Sequence, residues 1–151
     1  MSIRNAFLAL AVLGAASTAQ AANRCTIDLK GDDRMQFSTK SVTVSAACPR
    51  ITIRLAHTGK LPAKAMGHNV VVSATPDVQA LSAAGIKAGA ANHYAPKGDK
   101  RVLAVTPVIG GGETTTAIIP AGRLKAGGQY SFFCSFPGHA ALMKGTLVVT
   151  K

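Results

Sequence analysis

Tyr130-Ser-Phe-Phe-Cys-Ser-Phe-Pro-Gly-His-Ala-Ala-Leu-Met143, followed by Lys144-Gly-Thr-Leu-Val-Val-Thr150, decides how this sequence is read. Both flanks alternate apolar and polar residues with the two-residue period of a half-buried β-strand, and they are rich in Phe, Val and Thr. Pro137-Gly138 between them predicts a loop and excludes a helix. That loop carries one thiol, one imidazole and one thioether, in the order Cys134, His139, Met143. A tight loop can turn three side chains toward one point. These three are soft or borderline donors, which suit copper better than Ca²⁺ or Mg²⁺. A trigonal set needs a second imidazole, and His68 in Met66-Gly-His-Asn69, just ahead of an apolar run, is the candidate.

Working outward, Thr26–Lys30, Ser41–Ser45, Ile51–Leu55, Thr115–Ile119, Gln129–Phe133 and Gly145–Thr150 read as strands of period two. Asn69–Ser73 and Val102–Thr106 are fuller apolar runs that suit central strands. Gly and Pro punctuate between them at Gly31-Asp-Asp, Thr58–Pro62, Lys97-Gly-Asp, Gly127-Gly128 and Pro137-Gly138. Gly110-Gly-Gly112 is a turn, because it lacks the Lys-Ser/Thr end of a phosphate loop. Seven or eight short strands with frequent turns predict an all-β sandwich or barrel. One helix interrupts the pattern: Thr75 reads as its N-cap, Pro76 as its first helical residue, and the Ala-rich run from Asp77 to Lys87 as its body.

The N-terminus reads as an address. Arg4, the apolar run Ala6–Ala16 and the Ala19-Gln-Ala21 end form a secretory signal with cleavage after Ala21, leaving a single domain over 22–151 with no membrane anchor. Export to a bacterial periplasm is an oxidising context, in which three cysteines allow one internal pair at most. Cys25 and Cys48 flank two short strands, and a bridge closing that loop stabilises by roughly 3 kcal/mol. Cys134 is the thiol left over, and a metal gives it a reason to stay free. Lys and Arg total 17 against 6 acidic residues, a net charge of +11 that falls to +10 when Arg4 is removed. Aromatics are only 5% of the chain, so no stacking platform for nucleic acid is offered.

Histidine, cysteine, histidine and a weak axial methionine make up the blue-copper electron-transfer site. Zinc prefers four strong donors, among which Met is a poor one. A Cys–His hydrolase would need an orienting third group, and no protease signature surrounds Cys134. A copper chaperone or storage protein is the alternative function, though methionine in the exported chain is sparse: Met35, Met66 and Met143.

The chain resembles the azurins, bacterial periplasmic cupredoxins, over essentially its whole exported length. The resemblance rests on Cys25, Met35-Gln-Phe37 and Cys48, on Leu61-Pro with Met66-Gly-His-Asn69, and above all on the Cys-x4-His-x3-Met spacing of 130–147. It implies a Greek-key β-sandwich of about eight strands with one inserted helix. It also implies one copper per chain and a monomeric electron carrier rather than an enzyme. His68, Cys134 and His139 would be the equatorial ligands, Met143 the distant axial one, and the Gly67 carbonyl would face the metal from the other side. Asn69 would tie the ligand loops together, and Phe136 would pack beside the site. Leu61, Ala65, Met66, Phe136 and Ala141 would form an apolar rim around an exposed edge of His139. Partners would be redox proteins such as c-type cytochromes or periplasmic reductases and dehydrogenases. Lys60, Lys64 and Lys144 beside the rim suggest acidic ones. His57 corresponds to a histidine that in azurins is buried near the site, which leaves two readings side by side: a group that titrates with redox state and a satisfied core histidine. His93 reads as a surface residue. Two departures stand out: Val70 where many azurins carry Trp, and the strongly basic charge.

Overall fold

A computed structural model describes residues 25–151, so the expected signal and the start of the exported domain at residue 22 lie outside the described residues. Eight strands form two sheets: β1 (Thr26–Gly31), β2 (Ser41–Ser45), β3 (Arg50–His57), β4 (Val71–Ala74), β5 (Ala104–Val105), β6 (Thr114–Pro120), β7 (Tyr130–Phe133) and β8 (Lys144–Thr150). One sheet has the order β1-β3-β6 and the other β2-β8-β7-β4-β5. In both, an N-terminal strand pairs in parallel with a later one, β1 with β3 and β2 with β8, while the remaining pairings are antiparallel.

The alternation expected from the sequence places the core. Ile27 and Leu29 of β1, Ile53 and Leu55 of β3 and Ile119 of β6 meet Val44, Val72, Phe132, Leu147 and Val149 from the other sheet. Cys134 and Met143 belong to the same cluster, so part of the candidate metal set is also core. A strand buried on both faces needs a second cover, and this explains the fuller apolar runs. Val72 and Phe132 point inward, whereas Val71 and Phe133 point outward and pack under Leu81. Leu81 lies on the inserted helix, α2 (Val78–Ala88).

The helix starts differently from expectation. Residues Thr75–Asp77 form a 3₁₀ turn ahead of α2, and no side chain caps either element. The Thr75 hydroxyl lies 3.0 Å from that of Ser131 instead. A short helical turn, α1 (Ala63–Met66), leads into the first ligand segment. The strand expected over Val102–Thr106 narrows to Ala104–Val105 at the sheet edge, although the Leu103 and Thr106 N–H groups still donate to the Val72 and Val70 carbonyls. Val70 is fully buried just ahead of β4, so Val fills that core position without Trp. Cys25 and Cys48 form the expected disulfide, tying the start of β1 to the turn between β2 and β3.

Candidate metal centre

Two segments build the site. Strand β7 ends at Phe133 and β8 begins at Lys144 opposite it, so Cys134 to Met143 is the loop of a hairpin. The Cys134 N–H donates to the Met143 carbonyl at 2.9 Å and closes the loop at its base. Inside it, the N–H groups of Leu142 and Met143 donate to the His139 carbonyl, and Gly138 takes a positive φ of 83° that glycine alone adopts without cost. The second segment is held by a backbone bridge. His68 N–H donates to Ile109 O at 3.0 Å and Ile109 N–H to His68 O at 2.9 Å.

Donor atoms of His68, Cys134 and His139 lie within 4.8 Å of one another, and all three residues are buried. Cys134 Sγ is 3.6 Å from His139 Nδ1 and 4.0 Å from His68 Nδ1. His68 Nε2 lies 2.8 Å from the Asp32 carbonyl, and the tautomer that donates there is the one that turns the Nδ1 lone pair inward. The Gly67 carbonyl oxygen sits 3.0 Å from that Nδ1 and 3.9 Å from Cys134 Sγ. Met143 is fully buried in the same cluster. His68, Cys134 and His139 are thus brought together, with the Gly67 carbonyl beside them.

Electrostatics fit a metal. Burial lowers the pKa of His68, aided by neighbouring His57. Burial, then the nearby His68 and His57, pushes His139 down to about 4, so both imidazoles are neutral at pH 7 and carry free lone pairs. Burial pushes the Cys134 thiol up to about 11. Two neutral imidazoles converging on a buried thiol are well disposed to a soft cation that displaces the thiol proton.

Asn69 joins the two segments. Its Nδ2 donates to His93 O at 2.7 Å and to Ser135 Oγ at 2.8 Å, while its Oδ1 accepts from the Ser135 N–H at 2.9 Å. Phe136 lies 4.7 Å from the His139 ring and 5.2 Å from Tyr94. His57 is buried and stacked on His68 at 4.3 Å. Its Nε2 meets Met66 O at 2.9 Å and its Nδ1 accepts from the Gly59 N–H, so both ring nitrogens are satisfied. The His93 side chain is at the surface, as expected, although its carbonyl serves Asn69.

At the rim, Leu61, Ala65 and Ala141 are exposed and Met66 and Phe136 half-buried. His139 itself is only 3% exposed, more covered than expected. Three contributors were not legible beforehand: Leu142, which is 57% exposed next to Ala141, and Gly31 and Asp32, whose sequence signalled only a turn. The cations are distributed unevenly in their pairing. Arg34, Arg54 and Arg101 each pair with an aspartate, whereas no lysine among the described residues pairs with a carboxylate. Lys40 Nζ donates to the Leu142 carbonyl at 2.9 Å, which brings another ammonium to the rim.

A buried cysteine between two neutral histidines, on a β-sandwich, defines a mononuclear copper protein of the blue type. The sequence pattern of copper binding proteins, plastocyanin/azurin family, matches residues 23–150, and the chain belongs to that family. It is 50% identical to an azurin from Bordetella pertussis over 138 residues, 91% of this chain and 92% of that protein. It is 54% identical to an azurin from Alcaligenes faecalis over 123 residues, 82% of this chain and 96% of that one. A solved azurin, Az-iso2 from the obligate methylotroph Methylomonas sp. strain J, superposes with a TM-score of 0.80 at 40% identity, covering 84% of this chain and 98% of that chain.

Proposed function

We propose that this protein carries single electrons between larger redox proteins. His68, Cys134 and His139 would hold a copper ion as its strong donors, with the Met143 thioether as a weak further ligand and the Gly67 carbonyl as a neighbour. The observation that carries the reading is the convergence of three buried, neutral donors beneath an apolar rim. Copper bound there supplies one reversible electron. Every other part of the task falls to the chain. The bridge between His68 and Ile109, the hairpin clamp between Cys134 and Met143 and the Asn69 cross-tie hold the donors in one geometry for both oxidation states, so little has to move when charge changes. Burial excludes water and exogenous ligands. The His139 ring, 3% exposed and covered in part by Phe136, is where a partner docking on the apolar rim comes close enough for transfer without bond making.

The protein is therefore a carrier and not an enzyme, and burial of all three donors argues against a chaperone that passes its metal on by ligand exchange. It is exported to the periplasm, with cleavage after Ala21 and one domain over 22–151, and it works as a monomer. Its partners are redox proteins such as c-type cytochromes or periplasmic reductases and dehydrogenases. Lys40, Lys60, Lys64 and Lys144, none of them paired with a carboxylate among the described residues, favour those with acidic docking faces. Adding Cu(II) to the purified protein tests the reading. An intense blue band from thiolate-to-copper charge transfer, abolished in Cys134→Ser and retained in Cys25→Ser, is expected. A colourless or pale complex would refute it.

A further inference from the structure

Gly31 ends β1 and lies against the metal centre. A Cβ there would stand 2.8 Å from Cδ2 of His68 and 2.8 Å from Cε of Met143. Ordinary carbon contacts are about 3.5–4.0 Å, so something would have to give by close to 1 Å. The backbone does not call for glycine. Gly31 is absent from the positive-φ residues and sits at the end of a regular strand, in register with His57. Glycine is there for space.

Two of the three parties cannot retreat. The strand end is bridged to Phe37 and its carbonyl accepts from the Thr58 N–H at 2.8 Å and from the Thr58 hydroxyl at 3.0 Å. The His68 ring is held by Asp32 O on one edge and by the stacked His57 on one face. Only the Met143 thioether, with its rotatable bonds, can yield.

We infer that Gly31 is a positioning residue for the metal centre: its missing side chain is the slot in which the Met143 methyl and the His68 ring edge meet, and the width of that slot sets where the thioether stands. The inference rests on the proposed axial role of Met143. Enlarging residue 31 therefore displaces the Met143 thioether first and puts the remaining strain, common to both backgrounds below, on the edge of the His68 ring.

The test compares Gly31→Ala in two backgrounds, wild type and Met143→Ala, each loaded with copper. The readouts are the visible spectrum, the electron paramagnetic resonance of Cu(II) and the reduction potential. In wild type, Gly31→Ala should keep a blue protein but alter its band ratio and resonance. Its equilibrium constant against a reference couple should change about tenfold, which is about 59 mV for one electron. In Met143→Ala, where the methyl is gone, the same substitution should change the spectrum and potential far less. Equal shifts in both backgrounds, or no shift in wild type, would overturn the inference. If Gly31→Ala alone does not fold, the double variant decides: recovered folding supports the slot, and continued failure overturns it. A wild-type protein that is not blue would instead overturn the parent reading and this one with it. A blue wild type with uncoupled substitutions overturns this one alone.

Discussion

Replacing Asn69 by Ala removes the cross-tie between the two ligand segments. Three hydrogen bonds are lost, to His93 O, to Ser135 Oγ and from the Ser135 N–H. At a net contribution of about 1 kcal/mol each they amount to about 3 kcal/mol. Ser135 is 1% exposed, so its stranded N–H finds no ready water and adds about 1 kcal/mol more. A loss of about 4 kcal/mol in a domain of this size lowers the midpoint of thermal unfolding by about 15 °C. The assay is thermal unfolding of the metal-free protein, followed by the visible spectrum after copper addition. Thr106→Ala is the control. Its hydroxyl accepts from the Val70 N–H at 2.9 Å in an equally buried place, but it joins no ligand segments. Thr106→Ala should destabilise and leave the blue band alone, whereas Asn69→Ala should destabilise and also alter the blue band. A loss below about 1 kcal/mol, or a spectrum superimposable on that of the wild type, would refute the claim that Asn69 holds the centre together.

The Cys25–Cys48 bridge spans a sequence separation of 23, so the double Cys→Ser variant should lose about 3.5 kcal/mol in urea unfolding while keeping the colour; an unchanged midpoint would count against it. For the metal-free protein, the folded His139 pKa of about 4 lies below the ordinary 6.5. The folded state therefore binds fewer protons between those values, and stability is full above about pH 6.5 and declines as the pH falls toward 4. Up to about 3 kcal/mol is at stake, and a flat profile of unfolding free energy between pH 7 and 4.5 would contradict the burial argument. Electron-transfer rates with an acidic redox protein should fall as ionic strength rises and fall further in Lys144→Glu; rates insensitive to salt would exclude a steering role for the lysines.

Much of this molecule was legible because side chains announce it. Period-two runs located the strands, and the donor types of Cys134, His139 and Met143 announced the metal. What escaped notice works through backbone atoms or through absence. The Asp32 carbonyl that meets the His68 ring and the His93 carbonyl that anchors Asn69 would be supplied by any residue at those positions. Gly31 matters for an atom it lacks, and its neighbours Asp32 and Asp33 made the segment read as a turn. The N-cap reading failed at Thr75 for a related reason: a cross-strand hydroxyl, that of Ser131, competes for the same side chain and comes from 56 residues away. Coverage of His139 depends on how Phe136 and its neighbours fold over the ring, which no spacing encodes.

The position of β8 has a further consequence. The last strand of the chain lies between β2 and β7, in the interior of the larger sheet, and its parallel partner β2 begins at Ser41. The order of synthesis and the order in space are therefore opposed, and the long closures this demands make for slow folding. Until residues 144–150 arrive, β2 has no neighbour in its sheet and the hairpin that bears Cys134 and His139 has no second arm. The metal centre is thus a late-assembling structure, formed only when residues 144–150 have been incorporated.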